Sequence, residues 1–254
     1  MGDPARGAPV AVRRPALPRR GAHRHLGRLL LHHGPPPALR GPRARPRRHR
    51  RSVNQVLVLV VAYLLGSIPF AYLAGRINGV DLRTVGSGNL GATNVFRTLG
   101  RTAGVAVMVL DIAKGAFAVL IAQWVVGGPW WPIAAGALAI IGHVFPVWTG
   151  FKGGKGVAVG AGALIGLVPA ASGVLIILWV LIVVLTRYVS VASIVCALAA
   201  APLAWAFGAP WSYVAFIGLA GLFVIIKHRE NIQRLLSGTE NRIQLGRKAS
   251  PDPT

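Results

Sequence analysis

The chain has 254 residues, of which 54% are hydrophobic and only 13% charged, with a mean hydropathy of +0.57. That balance excludes an ordinary soluble domain and indicates a membrane protein. A formal net charge of +22 would suit a nucleic-acid binder, but residues 1–52 hold 14 of the 28 basic residues, and beyond Ser52 the balance falls to 14 basic minus 5 acidic, or +9.

Residues 1–52 read as a different kind of polymer from the rest. The run "RGPRARPRRHRR" has too little apolar content to fold, and this segment carries 9 of the 18 prolines. No short apolar stretch ends at a small-residue cleavage site, so it does not read as a secretory signal. A basic tail for anionic lipid is one reading. The preferred one is a start codon placed too far upstream, with the working chain beginning near Val53. The expected organisation is an Arg/Pro-rich extension over 1–52, a membrane domain over 53–242 and a tail over 243–254.

Seven apolar segments follow, over 53–74, 103–126, 130–147, 157–168, 170–185, 189–207 and 211–226. A spanning helix needs about 20 apolar residues. The fourth segment is short, because twelve residues rise only about 18 Å. Loop charge supports counting it. The turns "GGPWWP", "VPAAS" and "FGAPW" carry no charge, whereas Arg76, Arg83, Arg97, Arg101, Lys152, Lys155, Arg187 and Lys227 fall on the alternate turns. With seven spans every charged turn lies on one side, the cytoplasmic one by the positive-inside rule. The expected fold is an all-α polytopic membrane protein of seven helices, N-terminus outside and C-terminus cytoplasmic. Cys196 lies inside the sixth segment as a small buried apolar side chain, with no partner for a disulfide and no zinc spacing.

Polar residues gather in three clusters on that face. The first, "VGSGNLGATNVFR" over 85–97, contains a G-x-G-x-x-G pattern at Gly86, Gly88 and Gly91, with Asp111 twenty residues later. Its context excludes a dinucleotide fold: Asp81 and Arg83 stand where a buried strand is apolar, and the segment around Asp111 runs too long. What remains is a loop rich in donors, with Ser87, Asn89, Thr93, Asn94 and exposed backbone N–H groups. A helix starting near Gly91 or Ala92 carries Arg97. This inventory suits a phosphate monoester or a carboxylate.

The second cluster, "GHVFPVWTGFKGGKG" over 142–156, contains His143 and two lysines among glycines. It is not a Walker A loop, because Thr149 stands where the first glycine belongs and Gly156 replaces the Ser/Thr. Lysines there either hold an anion or snorkel to lipid headgroups. The third, "KHRENIQRLLSGTEN" over 227–241, sets His228, Asn231 and Arg234 at successive i, i+3 positions of a helix. No carboxylate pair is spaced for a metal, and no cofactor is expected. Asp111 and Lys114, i and i+3 inside the second segment, are expected to form an ion pair joining spans near the inner face.

"GSGNLGATN" followed by Arg97, "GHVFP" leading to "FKGGKG", and "HRENIQRLLSGTE" resemble, in order, the three signature segments of the bacterial acyl-phosphate:glycerol-3-phosphate acyltransferases, the PlsY family. The resemblance covers 53 to about 240. It implies a seven-helix membrane enzyme. Its reaction transfers a fatty acyl group from acyl phosphate to the 1-hydroxyl of glycerol 3-phosphate, giving lysophosphatidic acid and phosphate. Carried over by position, Ser87, Arg97, Lys155, His228 and Asn231 form the catalytic set. Gly86, Asn89, Thr93, Asn94, His143, Lys152, Gly153 and Gly154 bind or shape substrate. Implied partners are glycerol 3-phosphate, acyl phosphate, membrane lipid and, functionally, the upstream enzyme that forms acyl phosphate. The implied location is the bacterial plasma membrane, with the site facing the cytoplasm.

The H-x-x-x-x-D pattern of other glycerolipid acyltransferases is absent: Trp148 lies five residues after His143, and Gln233 five after His228. A transporter or channel for an organic phosphate is the alternative reading, but it calls for polar residues across the bilayer, and the outer turns are nearly bare of them. Removing residues 1–52 is expected to leave acyl transfer intact. Loss of activity in a truncated protein that still inserts into membranes would overturn the upstream-start reading.

Overall fold

The computed structural model describes residues 47–244, with side chains from Ser52 onward, and is helical with no β-strand among them. The expected extension up to residue 46 and the tail beyond residue 244 lie outside the described residues. The first helix, α1 (Arg47–Ser67), begins six residues before the expected boundary at Val53. The chain beyond Pro46 is free of proline up to Pro69, and the helix runs through the Arg/His residues that composition had assigned to the extension.

The expected first span is interrupted. Pro69 separates α1 from α2 (Phe70–Ile77), although 52–77 together remain apolar enough to cross a bilayer. A polar loop leads to the short α3 (Ala92–Thr98), which opens from Gly91 as anticipated. Then come α4 (Arg101–Val125) and α5 (Trp130–Val144), which stops three residues before the expected end of its segment. A single 3₁₀ turn (Val147–Thr149) and a glycine-rich loop precede α6 (Val157–Leu167). Pro169 opens α7 (Pro169–Thr186), followed by α8 (Val189–Ala206), α9 (Trp211–Lys227) and α10 (Arg229–Leu236).

Among the described residues, five helical segments are long and apolar enough to cross a membrane, and α9 with α10 would make a sixth, bent by 56°. The expected fourth span is α6, whose 11 residues rise only about 16 Å. It lies against α4, as α1 lies against α5. Small residues make both pairings. A methyl on Gly162 of α6 would lie 1.9 Å from the Ile112 carbonyl oxygen, and one on Gly115 of α4 would lie 2.1 Å from that of Val159. Gly66 and Gly142 do the same between α1 and α5, meeting Ala139 O at 2.2 Å and Tyr63 O at 2.3 Å. In lipid, where apolar side chains gain nothing by leaving water, such backbone approach is a main source of helix association.

A core of Val119, Ala163, Leu167, Leu175, Ala200 and Ile217 joins α4 to α6, α7, α8 and α9. Cys196 packs beside it but is half-buried rather than fully buried, since its helix lines an open cavity.

The expected ion pair is present and larger than anticipated. Asp111 Oδ1 lies 2.8 Å from Lys114 Nζ, with both side chains buried. The ammonium also donates to the Ile68 carbonyl at the α1–α2 break, 2.8 Å away, and lies 3.1 Å from His143 Nδ1 on α5. Its three N–H groups therefore face three acceptors drawn from three parts of the chain. Substituting Gly162→Leu is expected to destabilise the protein by about 3 kcal/mol or more, as overpacking does at a rigid contact. Gly173→Leu, at an exposed position where an added Cβ meets nothing within 4 Å, is expected to be neutral. Thermal unfolding in detergent checks both.

Candidate active site

The first polar cluster is built around one buried amide. Asn94, on α3, accepts from the Ser87 backbone N–H at 2.9 Å and donates to the carbonyls of Leu82 and Val85 at 3.1 and 3.2 Å. The loop can fold this tightly because Gly86 and Gly88 adopt left-handed conformations, φ +61° and +66°. A methyl at Gly86 would lie 2.3 Å from Asn94 Oδ1. Asn94 thus holds the loop, and Ser87 is left exposed at its edge.

The second cluster wraps under the end of α5. Thr149 Oγ1 donates to the Lys152 carbonyl at 2.8 Å, and the Gly154 N–H donates to the His143 carbonyl at 3.2 Å. Lys152 is exposed, whereas Lys155 is half-buried and donates through Nζ to Asn231 Oδ1. Burial, reinforced by the nearby Arg234 charge, pushes the Lys155 pKa below the ordinary lysine value. An anionic ligand there would relieve that penalty.

The third cluster centres on a residue that sequence reading left out of the site. Glu240 is buried and accepts from Ser190 Oγ at 2.8 Å and Asn231 Nδ2 at 2.7 Å through one oxygen. Its other oxygen accepts from Arg234 Nε at 2.8 Å. Burial alone would raise the Glu240 pKa, but the hydrogen bonds from Asn231, Arg234 and Ser190 outweigh it and hold the carboxyl below the usual range. Asn231 is therefore oriented: its Nδ2 is committed to Glu240, which turns Oδ1 toward Lys155.

The neighbouring Asn241 carbonyl accepts from an Arg97 terminal nitrogen at 2.9 Å. Arg97 Nε is buried without a hydrogen-bond partner among the described residues. Burial lowers the Arg97 pKa, with Glu240 opposing that shift. His228 occupies the break between α9 and α10, and its Nδ1 lies 2.7 Å from the Val224 carbonyl. A carbonyl only accepts, so Nδ1 carries the proton and Nε2 keeps its lone pair. Burial moves the His228 pKa below its ordinary value, which leaves the ring neutral near pH 7.

These side chains meet at one end of a cavity of about 480 Å³. Ser87, Asn89, Thr93, Asn94, Arg97, His143, Lys155, His228 and Asn231 all line it, from four separate stretches of sequence. Walls from α4, α6, α7, α8 and α9 continue it as an apolar space. Four expected substrate contacts do not line it: Gly86 packs on Asn94, Gly153 and Gly154 pack on His143, and Lys152 faces away from the wall. Arg234, Glu240 and Ser190 line it without having been assigned to it. A sequence signal for Glu240 existed, since it is one of only five acidic residues beyond Ser52 and lies within the third cluster.

Fold and site together define a helical integral-membrane protein whose cationic, amide-rich mouth opens onto a lipid-compatible interior. The family profile described as Glycerol-3-phosphate acyltransferase matches residues 56–238. A glycerol-3-phosphate acyltransferase of Synechococcus sp. (strain JA-3-3Ab) is 44% identical over 202 residues, 79% of this chain and 98% of the relative. Glycerol-3-phosphate acyltransferase 2 of Moorella thermoacetica is 47% identical over 189 residues, 74% of this chain and 97% of the relative. The crystal structure of PlsY (YgiH), an integral membrane glycerol 3-phosphate acyltransferase, in its glycerol 3-phosphate form superposes with a TM-score of 0.72. The identity is 41%, and the match covers 75% of this chain and 96% of that one. The lysophosphatidic acid form gives a TM-score of 0.70 at 40% identity, covering 75% and 95%. The chain belongs to the glycerol-3-phosphate acyltransferase family.

Replacing Glu240→Ala leaves the Asn231, Ser190 and Arg234 donors without their acceptor. It is expected to destabilise the protein by about 2–3 kcal/mol, the scale for buried groups that lose a charged partner. It is also expected to lower turnover by releasing Asn231. Unfolding midpoints and initial rates measured side by side check it.

Proposed function

We propose that this protein transfers a fatty acyl group from acyl phosphate to the 1-hydroxyl of glycerol 3-phosphate, releasing lysophosphatidic acid and phosphate. The observation that carries the reading is the union of Arg97, Lys155, His228 and Asn231 at the polar end of an otherwise apolar cavity, in a chain of this family. The relatives' names supply the acceptor, and the solved neighbours' glycerol 3-phosphate and lysophosphatidic acid forms support the substrate and product. Acyl phosphate as donor rests on the likeness of the three motifs to the PlsY family.

Arg97 and Lys155 hold phosphate charge, Arg97 with a buried N–H still unpaired and Lys155 with an ammonium that gains by meeting an anion. Ser87 and Asn231 orient hydroxyl and phosphate oxygens, while Asn89, Thr93 and Asn94 shape the floor. The glycerol hydroxyl oxygen attacks the acyl carbonyl carbon. The bond from that carbon to the phosphate oxygen breaks, and phosphate departs with the electron pair. Acyl phosphate is a mixed anhydride with a good leaving group, so positioning and charge neutralisation supply most of the catalysis. The hydroxyl proton passes to His228 Nε2, whose lone pair the Val224 contact leaves free, or to a phosphate oxygen of the donor. The acyl chain lies among the apolar walls.

The proposed topology keeps seven spans, with α6 as the short fourth. The charged turns and the site then face the cytoplasm of a bacterial plasma membrane. An enzyme that makes acyl phosphate is the functional partner upstream. Purified protein is expected to form lysophosphatidic acid from glycerol 3-phosphate and fresh acyl phosphate; no product would overturn the reading. Arg97→Ala and Lys155→Ala are each expected to lower turnover at least about tenfold, the scale of one lost charge-assisted contact. Near-normal rates in both would return these residues to structural roles.

A further inference from the structure

The network below the site reaches the catalytic lysine through one side chain. Lys114 Nζ, Asp111 Oδ1 and the Ile68 carbonyl form its buried base, and His143 Nδ1 closes it, 3.1 Å from the ammonium and 3.7 Å from the carboxylate. An ammonium offers only donors, so His143 Nδ1 is the acceptor and the ring proton sits on Nε2. That fixes the ring plane against α4. The opposite edge of the ring meets the lysine loop. A methyl on Gly154 would lie 2.2 Å from His143 Nε2 and 3.0 Å from the Leu90 carbonyl oxygen, and one on Gly153 would lie 2.0 Å from the His143 carbonyl oxygen. The next residue after Gly154 is Lys155, and no residue larger than glycine fits at either preceding position without moving this contact.

We propose that His143 is a positioning residue: its ring, clamped by the Asp111–Lys114 pair, sets the Gly153–Gly154 backbone and thereby the place of Lys155 in the phosphate site. This rests on the function proposed above, because the effect is read through Lys155. It also assigns the network a task beyond joining helices. Joining the spans accounts for His143 Nδ1, which meets the Lys114 ammonium, but not for the opposite edge of the ring, which is wedged against a glycine pair. The tight contact at Nε2 makes that edge a packing surface for the loop rather than an open ligand contact.

A double-mutant cycle in the full chain tests this, with glycerol 3-phosphate varied at fixed acyl phosphate. His143→Leu keeps bulk but removes both ring nitrogens. It is expected to raise KM for glycerol 3-phosphate about tenfold or more, with a smaller change in kcat, and to lower the unfolding midpoint of the detergent-solubilised protein, because the buried Lys114 ammonium loses an acceptor. In a Lys155→Ala background the same substitution is expected to change kcat/KM less than about twofold. His143→Asn, whose amide oxygen can accept from Lys114, is expected to recover part of the loss. If His143→Leu does not yield folded protein, Gly154→Ala takes its place in the cycle, with the same expected dependence on Lys155. Full multiplication of the two effects, or an unchanged KM in folded His143→Leu, would overturn the proposal. Failure of the unsubstituted protein to make lysophosphatidic acid would instead overturn the function on which it rests.

Discussion

The Lys114 ammonium imposes the constraint on which much of this structure depends. A charge inside a membrane domain is costly and is almost always paired. Here its acceptors come from Asp111 one turn away, from the carbonyl of Ile68 where Pro69 breaks the first helix, and from His143 at the end of α5. Satisfying one side chain therefore locks α1, α4 and α5 at a single level of the bilayer. The same demand explains the break: a continuous helix would spend the Ile68 carbonyl on its own ladder.

A second organiser, Glu240, works the same way with the opposite charge. Its two oxygens gather Ser190 from the start of α8, Asn231 and Arg234 from α10. With Arg97 bonded to the adjacent Asn241 carbonyl, the third cluster is drawn onto the first. Glu240 lines the cavity together with Arg97 and Lys155, and so does Asp111, the carboxylate paired with Lys114. Arg97 keeps a buried Nε–H with no hydrogen-bond partner among the described residues, and the Lys155 ammonium keeps N–H groups beyond the one given to Asn231. That arrangement suits acyl transfer to a phosphate-bearing acceptor, in which the site stabilises charge by groups already fixed in place.

The cavity also reconciles a polar site with a lipid-like substrate. Its phosphate-type donors sit at one end, and its walls are the apolar faces of α4 and α6 to α9. The short α6 makes this possible. Its glycines bring it into backbone contact with α4, and its first residues follow directly from the lysine loop. One glycine-rich stretch, 150–166, thereby supplies both a cation at the mouth and a tightly packed wall behind it.

By itself the sequence determined the class, the three clusters and most of the residues at the mouth. Apolar runs and the side of each charged turn are local properties, and motif order is written along the chain. The ion pair of Asp111 and Lys114 was legible for the same reason, being one helical turn apart. Tertiary structure alone decided the rest. The first span became two helices where Pro69 breaks it, and α1 began at Arg47 because the chain beyond Pro46 is free of proline up to Pro69. Glycines at 86, 153 and 154, which the family resemblance sets beside substrate, pack against Asn94 and His143, a contact that only the tertiary structure shows. Glu240 and His143 acquired their places only when distant segments met. A carboxylate acquires its donors, and an imidazole its tautomer, from neighbours that folding brings together, and one-dimensional spacing carries no record of them.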